Sequence, residues 1–209
     1  VFSSIDKLGR YAYSNQPPIT KWNLTRFAEC LIPLIDKNED TSIKIATNVI
    51  DNFQNIYEKK WLNMMRDKLG LFGEDKNDRK LIDDLLNWME KNKIDYTNIF
   101  CHLMDIKIDN NTYKDKIFLT WFDEWKKRSQ LNNSSKEKQI ELMKKNNPIV
   151  IPRNHEVEEA LTEANNGSLE GMNKLNDILK NPYSNQGDIA EYQVPAPTTN
   201  EKYQTFCGT

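Results

Sequence analysis

The sequence predicts an all-α protein, an irregular bundle of helices with an extended C-terminal tail. Along most of the chain, apolar residues recur three and four positions apart, which is the spacing of one face of a helix. No window alternates for long between apolar and polar residues, and residues 147–154 (NPIVIPRN) are the only strand-like piece. Because the connections between the helical windows are short, we expect the helices to pack on their neighbours.

Two long helices are predicted first. Pro17 and Pro18 suit the opening turn of a helix, where their missing N–H groups would have no partner in any case, and Pro33 should bend or end that helix. The second helix is expected to follow a cap at residues 40–41 and to end at Gly70. The predicted inward faces hold Leu24, Phe27, Ala28, Leu31 and Leu34 in the first helix, and Ile43, Ala46, Ile50, Phe53, Tyr57, Trp61 and Met64 in the second.

Six shorter helices are predicted downstream. Asp95 or Thr97 is a suitable cap for the fourth helix of the chain, Pro148 stops the sixth, and Asn154 and Ser168 are suitable caps for the last two. Residues 1–181 are therefore predicted to form one helical region, and residues 182–209 an extended tail. The six helices cover residues 77–92, 95–106, 114–131, 134–146, 155–167 and 169–181, and their inward residues include Leu81, Leu85, Trp88, Met89, Ile117, Trp121 and Trp125.

Composition excludes several classes of partner. In 209 residues, 29 Lys and Arg face 31 Asp and Glu, and this net charge of −2 lacks the clustered basic excess of a nucleic-acid-binding surface. No apolar run approaches the roughly 20 residues that cross a bilayer, so we expect a soluble protein with no membrane partner. Three widely spaced cysteines do not suggest a disulfide framework, and they predict a cytoplasmic location.

The residues alone assign no catalytic, cofactor-binding or metal-binding side chain to this chain. The glycines at 70 and 73 match no phosphate-binding loop and indicate a helix end and turn. Cys101 and His102 are adjacent on a predicted helix and therefore point to different faces, which favours packing. His155 and Glu159 are four residues apart, which favours helix support over direct chemistry. The TWFDEWKK segment favours core packing over a ligand-stacking box, and solvated helix faces are expected for Asp83, Asp84, Asp123 and Glu124.

Cys207 is the one redox candidate. It lies beside Gly208 in the predicted tail, where a thiol should be reachable, and accessible thiols are the ones that enter exchange reactions. A tail cysteine without a function is the alternative.

Three ordered blocks resemble the SelO (YdiU) family. Residues 6–29 (DKLGRYAYSNQPPITKWNLTRFAE) resemble the family's G-R-Y-A-Y-G-N-Q-P and W-N-L-x-R-L-A-E signature. Residues 147–161 (NPIVIPRNHEVEEAL) are similar to its N-P-x-x-I-P-R-N-H-x-V-E-x-A-L block. The NPYSN segment at 181–185 and the terminal YQTFCGT are similar to the last block. Ser14 departs from the family's usual glycine, so the turn there does not strictly need a positive φ.

The resemblance implies a protein-kinase-like fold and the transfer of AMP from ATP to hydroxyl side chains (Ser, Thr or Tyr) of proteins. In family members the nucleotide-binding loop, the Lys–Glu pair, the base and the metal ligands precede the G-R-Y-A-Y phrase. This chain therefore resembles the C-terminal portion alone and is predicted to be inactive by itself. ATP and Mg²⁺ or Mn²⁺ are implied for the full-length protein, and the implied partners are its missing N-terminal catalytic portion and its protein substrates.

Four residues are implied as structural anchors of the catalytic loop: Arg10, Tyr11, Trp22 and Phe27. The helix after Pro17 would be a buried strut, with Trp22 and Phe27 supporting the loop from below. Arg10 would pair with an upstream carboxylate, or else be a solvent-exposed turn residue.

The redox role of Cys207 stays open at the level of sequence. Some family members couple a cysteine that precedes the first block to a cysteine or selenocysteine near the C-terminus, but residues 1–6 (VFSSID) contain no cysteine. Cys207 could instead pair with Cys30, Cys101, an upstream thiol or a partner protein. The alternatives to the enzyme are a non-catalytic helical interaction module that is independent of any kinase-like domain, and a thiol-exchange protein centred on Cys207.

Overall fold

The fold is built from helices. The computed structural model describes residues 6–104, 111–131, 135–184, 186–187 and 189–196, and no strand occurs within these ranges, so the all-α prediction is confirmed. Short 3-10 turns occupy Tyr13–Asn15, Asn111–Lys114 and Glu191–Gln193. The α-helices in the described ranges are α1 (Gln16–Ile35), α2 (Glu39–Asp51), α3 (Phe53–Lys68), α4 (Asp78–Asn92), α5 (Tyr96–Leu103), α6 (Lys116–Ser129), α7 (Lys136–Asn146), α8 (Asn154–Asn165) and α9 (Glu170–Leu179).

The described residues divide into two compact units. The first covers residues 6–61, with α1, α2 and the first turns of α3, and the second begins at Leu62 and includes all later described residues. Described residues beyond 181 belong to the second unit, where Ile189 and Tyr192 are buried. The sequence-based division at residue 181 stays a prediction.

In the first unit, α1 and α2 pack on each other around a tight corner. The two prolines occupy the opening turn of α1 as predicted, but Pro33 does not end the helix, which continues to Ile35. At the corner, Ser42 Oγ accepts a hydrogen bond from Asp36 N at 2.9 Å. The cap of α2 is Asn38, whose side chain accepts from Thr41 N at 2.9 Å, and it replaces the expected cap at residues 40–41.

The predicted second helix is in fact two helices, α2 and α3, which meet at Asn52. Asn52 is the C-cap of α2; its backbone (φ −74°, ψ −10°) stays in the right-handed helical region, and Asn52 N still donates to Asn48 O. Much of the predicted inward face is exposed, including Ile43, Tyr57 and Met64. Among the apolar residues of α2 and α3, the first buried one is Met65, in the last turns of α3, which belong to the second unit.

The described part of the first unit buries few residues. Between residues 6 and 61, only Ile19 and Ser42 are buried. Soluble domains seldom leave large contiguous apolar patches uncovered. The large apolar side chains exposed in this unit are Leu8, Tyr11, Tyr13, Trp22, Leu24, Phe27, Leu34, Ile43, Ile45, Val49, Ile56 and Tyr57.

The second unit has a dense aromatic core between α4 and α6. Trp121 and Trp125 are buried with their rings stacked 6.2 Å apart, which confirms the core interpretation of TWFDEWKK. Both indole N–H groups are satisfied, since Trp121 donates to Leu81 O at 2.8 Å and Trp125 to Leu69 O at 2.9 Å. The residues predicted to face inward from α4 are also buried: Leu81, Leu85, Trp88 and Met89.

Ile117 was predicted on the same stripe, but it is 59% exposed. Successive steps of four residues drift around a helix that repeats every 3.6 residues, so Ile117 turns away from the face that holds Trp125. Steps of three and four residues alternate along the true buried stripe, which runs through Phe118, Trp121, Trp125 and Arg128.

Helix boundaries follow the predicted signals to within a residue or two. Asp95 caps α5 by accepting from Thr97 N and Asn98 N, as predicted. The caps of α8 and α9 are Arg153 and Leu169, each one residue from its predicted position. Gly70 follows α3 in the left-handed region (φ +66°), where glycine is favoured.

Candidate functional site

The loop of residues 6–15 is held together by its own polar groups. Both carboxylate oxygens of Asp6 accept backbone hydrogen bonds, from Arg10 N and Tyr11 N, each at 2.8 Å. Gly9 supplies a positive φ of +67° at the turn, and Asn15 Nδ2 donates to its carbonyl oxygen at 2.7 Å. The 6–15 loop therefore has a defined shape although most of it is exposed.

This loop places Arg10 over the indole of Trp22, in the second turn of α1. The guanidinium carbon of Arg10 lies 4.5 Å from the centre of the Trp22 ring, within the range of a cation–π contact, and 5.7 Å from that of Tyr11. Arg26 approaches the same indole at 5.6 Å and forms an ion pair with Glu29 at 2.6 Å. Three of the four predicted anchors thus form one surface cluster.

Phe27 does not join that cluster. Its side chain is 61% exposed on α1, and Trp22 is 48% exposed. Neither residue is buried by the part of the chain that the structure describes, so their role as anchors stays a prediction.

A buried ion cluster centres on Asp78 in the second unit. Arg66 Nε donates to Asp78 Oδ2 at 2.7 Å, and Arg128 Nε donates to Oδ1 at 2.6 Å. Arg128 also donates to the carbonyl oxygens of Phe72 and Gly73, so the cluster fixes the turn between α3 and α4. Burial alone would raise the pKa of Asp78, but the hydrogen bonds from Arg128, the backbone and Arg66 outweigh it and hold the pKa below its usual value.

A second buried cluster centres on Arg153. Its guanidinium donates to both carboxylate oxygens of Asp95, at 2.8 and 3.1 Å, and to Tyr192 O at 3.2 Å. Asn98 Nδ2 donates to Gln193 O at 3.0 Å, so the 3-10 turn Glu191–Gln193 is tied to the start of α5. Burial opposes ionisation of Asp95, but the Arg153 and backbone hydrogen bonds lower the pKa of its carboxyl group overall.

Comparison with known proteins decides the family. A family model described as protein adenylyltransferase SelO matches residues 1–180. The chain belongs to the SelO family. Over its whole length it is 61% identical to a protein nucleotidyltransferase YdiU of Pelagibacter ubique, 47% identical to one of Bacillus cereus strain AH820 and 46% identical to one of Clostridium perfringens.

This SelO-family chain spans less than half of those relatives. It covers 44% of the Pelagibacter protein and 43% of each of the other two. Two of the sequence blocks that resemble the family lie on the clusters described above. The first block forms the 6–15 loop and the start of α1, and the second contains Arg153.

The charged residues of the Asp78 cluster were missed by sequence reasoning. Asp78 lies 12 residues from Arg66 and 50 from Arg128, so no local spacing joins them. One signal was present: Arg128 follows the buried Trp125 at a helical step, and a charge on an apolar stripe indicates a buried partner. The predicted solvated position of Asp83 and Asp84 is confirmed, since both are half-exposed and pair with Arg79 and Lys80 one turn away.

Lys68 and Cys101 are both buried, and burial shifts the pKa of each group. Burial lowers the pKa of Lys68 to about 8, while its Nζ donates to Asn146 O at 3.2 Å and lies 4.4 Å from the Phe100 ring centre. Burial, with the charge of Asp95 adding to it, raises the pKa of Cys101 to about 11. Cys101 is thus a protonated thiol near neutral pH, and the predicted packing role is confirmed.

The histidines also have packing and contact partners. His102 stacks on Tyr113 with 4.1 Å between ring centres, and His155 Nε2 lies 3.2 Å from Glu156 rather than bonding Glu159. Among the described residues, no group of three or more His, Cys, Asp or Glu side chains is placed to hold a metal ion. Within the same ranges, no helix is both long enough and apolar enough to span a bilayer. Cys207 lies outside the described residues, and the cytoplasmic location stays a prediction.

Proposed function

We propose that this chain is the helical C-terminal region of a SelO-type protein adenylyltransferase. The full-length protein would transfer AMP from ATP to Ser, Thr or Tyr hydroxyls of proteins, with Mg²⁺ or Mn²⁺. Family membership and the nucleotidyltransferase names of the relatives support this activity. The residues that hold ATP and metal would lie in the remainder of the protein, and this region would support them.

The uncovered apolar surface of the first unit is the observation that carries the proposed supporting role. Phe27, Leu34 and Val49 are 61%, 81% and 67% exposed, and they lie on two helices that pack on each other. Full burial of one such side chain is worth about 1.5–3 kcal/mol, so covering several of them is strongly favourable. Since the relatives are more than twice as long as this chain, the remainder of the full-length protein is the occupant we propose.

The proposed orientation places the 6–15 loop toward the catalytic portion. Arg10, Tyr11, Trp22 and Phe27 are exposed or half-exposed at the start of the first unit and can contact a further segment without rearrangement. Aromatic and arginine side chains of this kind commonly dominate protein contacts. The 6–15 loop would thus contact and support the catalytic loop of the full-length enzyme.

The test is transfer of label from α-labelled ATP to protein hydroxyls. The 209-residue chain and the full-length protein are assayed side by side, each with and without Mg²⁺ or Mn²⁺. Label with the long protein and none with the short one is the expected result. Labelling by the short chain would overturn the supporting role. Labelling by neither would favour the non-catalytic interaction module.

A redox-responsive tail is the second part of the proposal. Cys207 would be the responsive thiol, and Cys30 is the natural variant to compare with it because it is a free, exposed cysteine on α1. Label transfer by the full-length protein is compared before and after mild thiol oxidation. Cys207→Ser should abolish any change. Cys30→Ser should also abolish it if Cys30 is the thiol that pairs with Cys207, and should retain it if Cys207 pairs with another thiol. An oxidation response that survives in Cys207→Ser would exclude this role.

A further inference from the structure

We propose that Arg10, held over the ring of Trp22, is a binding residue for an oxyanion, either a carboxylate or a phosphate group. The anion would come from outside the 209 residues, as a carboxylate of the remaining protein or as a phosphate of its nucleotide. This inference rests on the proposed function, because it assumes that the full-length protein brings one of these groups to the 6–15 loop.

The backbone around Arg10 is fixed before any ligand arrives. Asp6 binds the N–H groups of Arg10 and Tyr11, and Gln16 Nε2 donates to Tyr11 O at 2.6 Å. The turn at Gly9 completes the loop. Asp6 is the nearest carboxylate in sequence, and both of its oxygens are engaged by the backbone.

The guanidinium itself is oriented by an aromatic face. The cation–π contact with Trp22, at 4.5 Å from the ring centre, fixes the position of the positive charge. An aromatic ring offers no oxygen acceptor, so this contact does not satisfy the N–H donors of Arg10. Among the residues that the structure describes, no carboxylate lies within ion-pair distance of Arg10. Its donor groups are therefore available to an incoming acceptor.

The surroundings also have excess positive charge. Two guanidinium groups, those of Arg10 and Arg26, lie within 6 Å of the Trp22 ring centre. Of these two, only Arg26 has a counter-ion among the described residues, namely Glu29. An oxyanion with two oxygens can accept two parallel hydrogen bonds from the planar guanidinium of Arg10, as carboxylates and phosphates do in bidentate arginine pairs. Its negative charge would neutralise the excess positive charge around Trp22.

The test uses the full-length protein with Arg10→Gln and Arg10→Lys, and with Arg26→Gln as the matched control. Arg26 contacts the same indole but already has a counter-ion. Thermal midpoints are measured without ligand at low and high salt, and pyrophosphate affinity is measured for each protein by titration.

If the anion is a protein carboxylate, Arg10→Gln lowers the midpoint without ligand by about 2 °C and Arg26→Gln lowers it less. Arg10→Lys then recovers part of the loss, and salt reduces the difference. If the anion is a phosphate, the midpoint without ligand is unchanged and pyrophosphate affinity falls about tenfold in Arg10→Gln only.

The inference is overturned if Arg10→Gln matches the wild type, or matches Arg26→Gln, in both measurements. Trp22→Leu supplies a second check, since loss of the ring should give the same direction of change and little further loss when combined with Arg10→Gln. A failed label transfer by the wild type would defeat the proposed function, whereas the midpoint comparison would still report on a carboxylate partner.

Discussion

Replacing Asp78 with asparagine is expected to destabilise the second unit by about 3–5 kcal/mol, the cost of breaking a buried ion pair. Asp78 is fully buried and accepts from Arg66 Nε, Arg128 Nε, Arg128 Nη2 and Asp75 N, at 2.7, 2.6, 3.1 and 2.9 Å. Asparagine fits the space but carries no charge, and its amide nitrogen would face a guanidinium. Glu74 offers little compensation, because it lies 3.5 Å from Arg66 on a largely exposed side chain.

Urea unfolding followed by tryptophan fluorescence measures this loss, since Trp88, Trp121 and Trp125 are buried in the same unit. The control is Asp83→Asn, which breaks an exposed pair with Arg79 (2.8 Å) and should cost about 0.5 kcal/mol or less. The slope of the free energy against urea should stay the same in both variants.

The pH dependence gives a second signature of the same cluster. The pKa of Asp78 is lowered in the folded protein, so its stabilisation is present above the unfolded-state pKa of about 3.9 and is lost as pH falls through the folded pKa. The difference in stability between the wild type and Asp78→Asn should therefore begin to narrow below about pH 4 and should close as pH falls through the folded pKa. A loss no larger than that of Asp83→Asn at neutral pH would refute the reasoning.

Three further changes probe the second unit. Arg153→Lys removes the paired hydrogen bonds to Asp95 and the hydrogen bond to Tyr192 O. Amide exchange at residues 191–193 should then be at least tenfold faster, which corresponds to a loss of about 1.4 kcal/mol or more in the free energy of local opening. Unchanged exchange would contradict the role of Arg153 in holding this turn. Gly70→Ala places a methyl group in the left-handed region, 2.5 Å from a Gln139 side-chain carbon and 3.0 Å from its carbonyl oxygen, so thermal unfolding should show a loss of about 1–3 kcal/mol. The pKa of Lys68 is about 8 in the folded protein and about 10.4 in the unfolded chain. Between these two values the unfolded state binds more protons, so stability should rise with pH. The free energy of unfolding of Lys68→Met, measured over the same pH range, should lack this rise.

Helix existence and the positions of the starts were largely predictable because they depend on local chemistry. The prolines of α1, the Asp95 cap and Gly70 each act within one turn of their own position. Which residues face inward was less predictable. Ile117 and Met64 sit at helical spacing from buried residues, yet both are exposed, because the packed side of a helix depends on its neighbours.

The buried polar clusters could not be predicted from spacing. Arg153 and Asp95 are 58 residues apart, and their pairing requires α5 and the start of α8 to meet in space. The sequence identified Asp95 only as a helix cap. In the structure the same carboxylate caps α5 and pairs with Arg153. The helix-cap pattern predicts the first role but gives no indication of the second.

The Arg10–Trp22 contact could be predicted only in part. The residues were singled out through their resemblance to the SelO family, and their twelve-residue separation spans a turn whose shape depends on Asp6 and Gly9. Periodicity placed Trp22 on a helix and gave no means of placing Arg10 over its ring. Side chains brought together by a loop need the loop's conformation, which local propensity specifies poorly.

Amphipathic faces can be predicted without knowing what covers them, and the first unit shows the consequence. Its helices carry apolar faces, yet the described chain buries only Ile19 and Ser42 there. Amide exchange should therefore differ between the 209-residue chain and the full-length protein. Protection of α1 and α2 should rise at least tenfold in the longer protein, because covering apolar surface suppresses local opening, while α4 and α6 should change little. Equal protection of α1 in both proteins would mean that the remainder of the protein does not cover this surface, and the supporting role would fail with it.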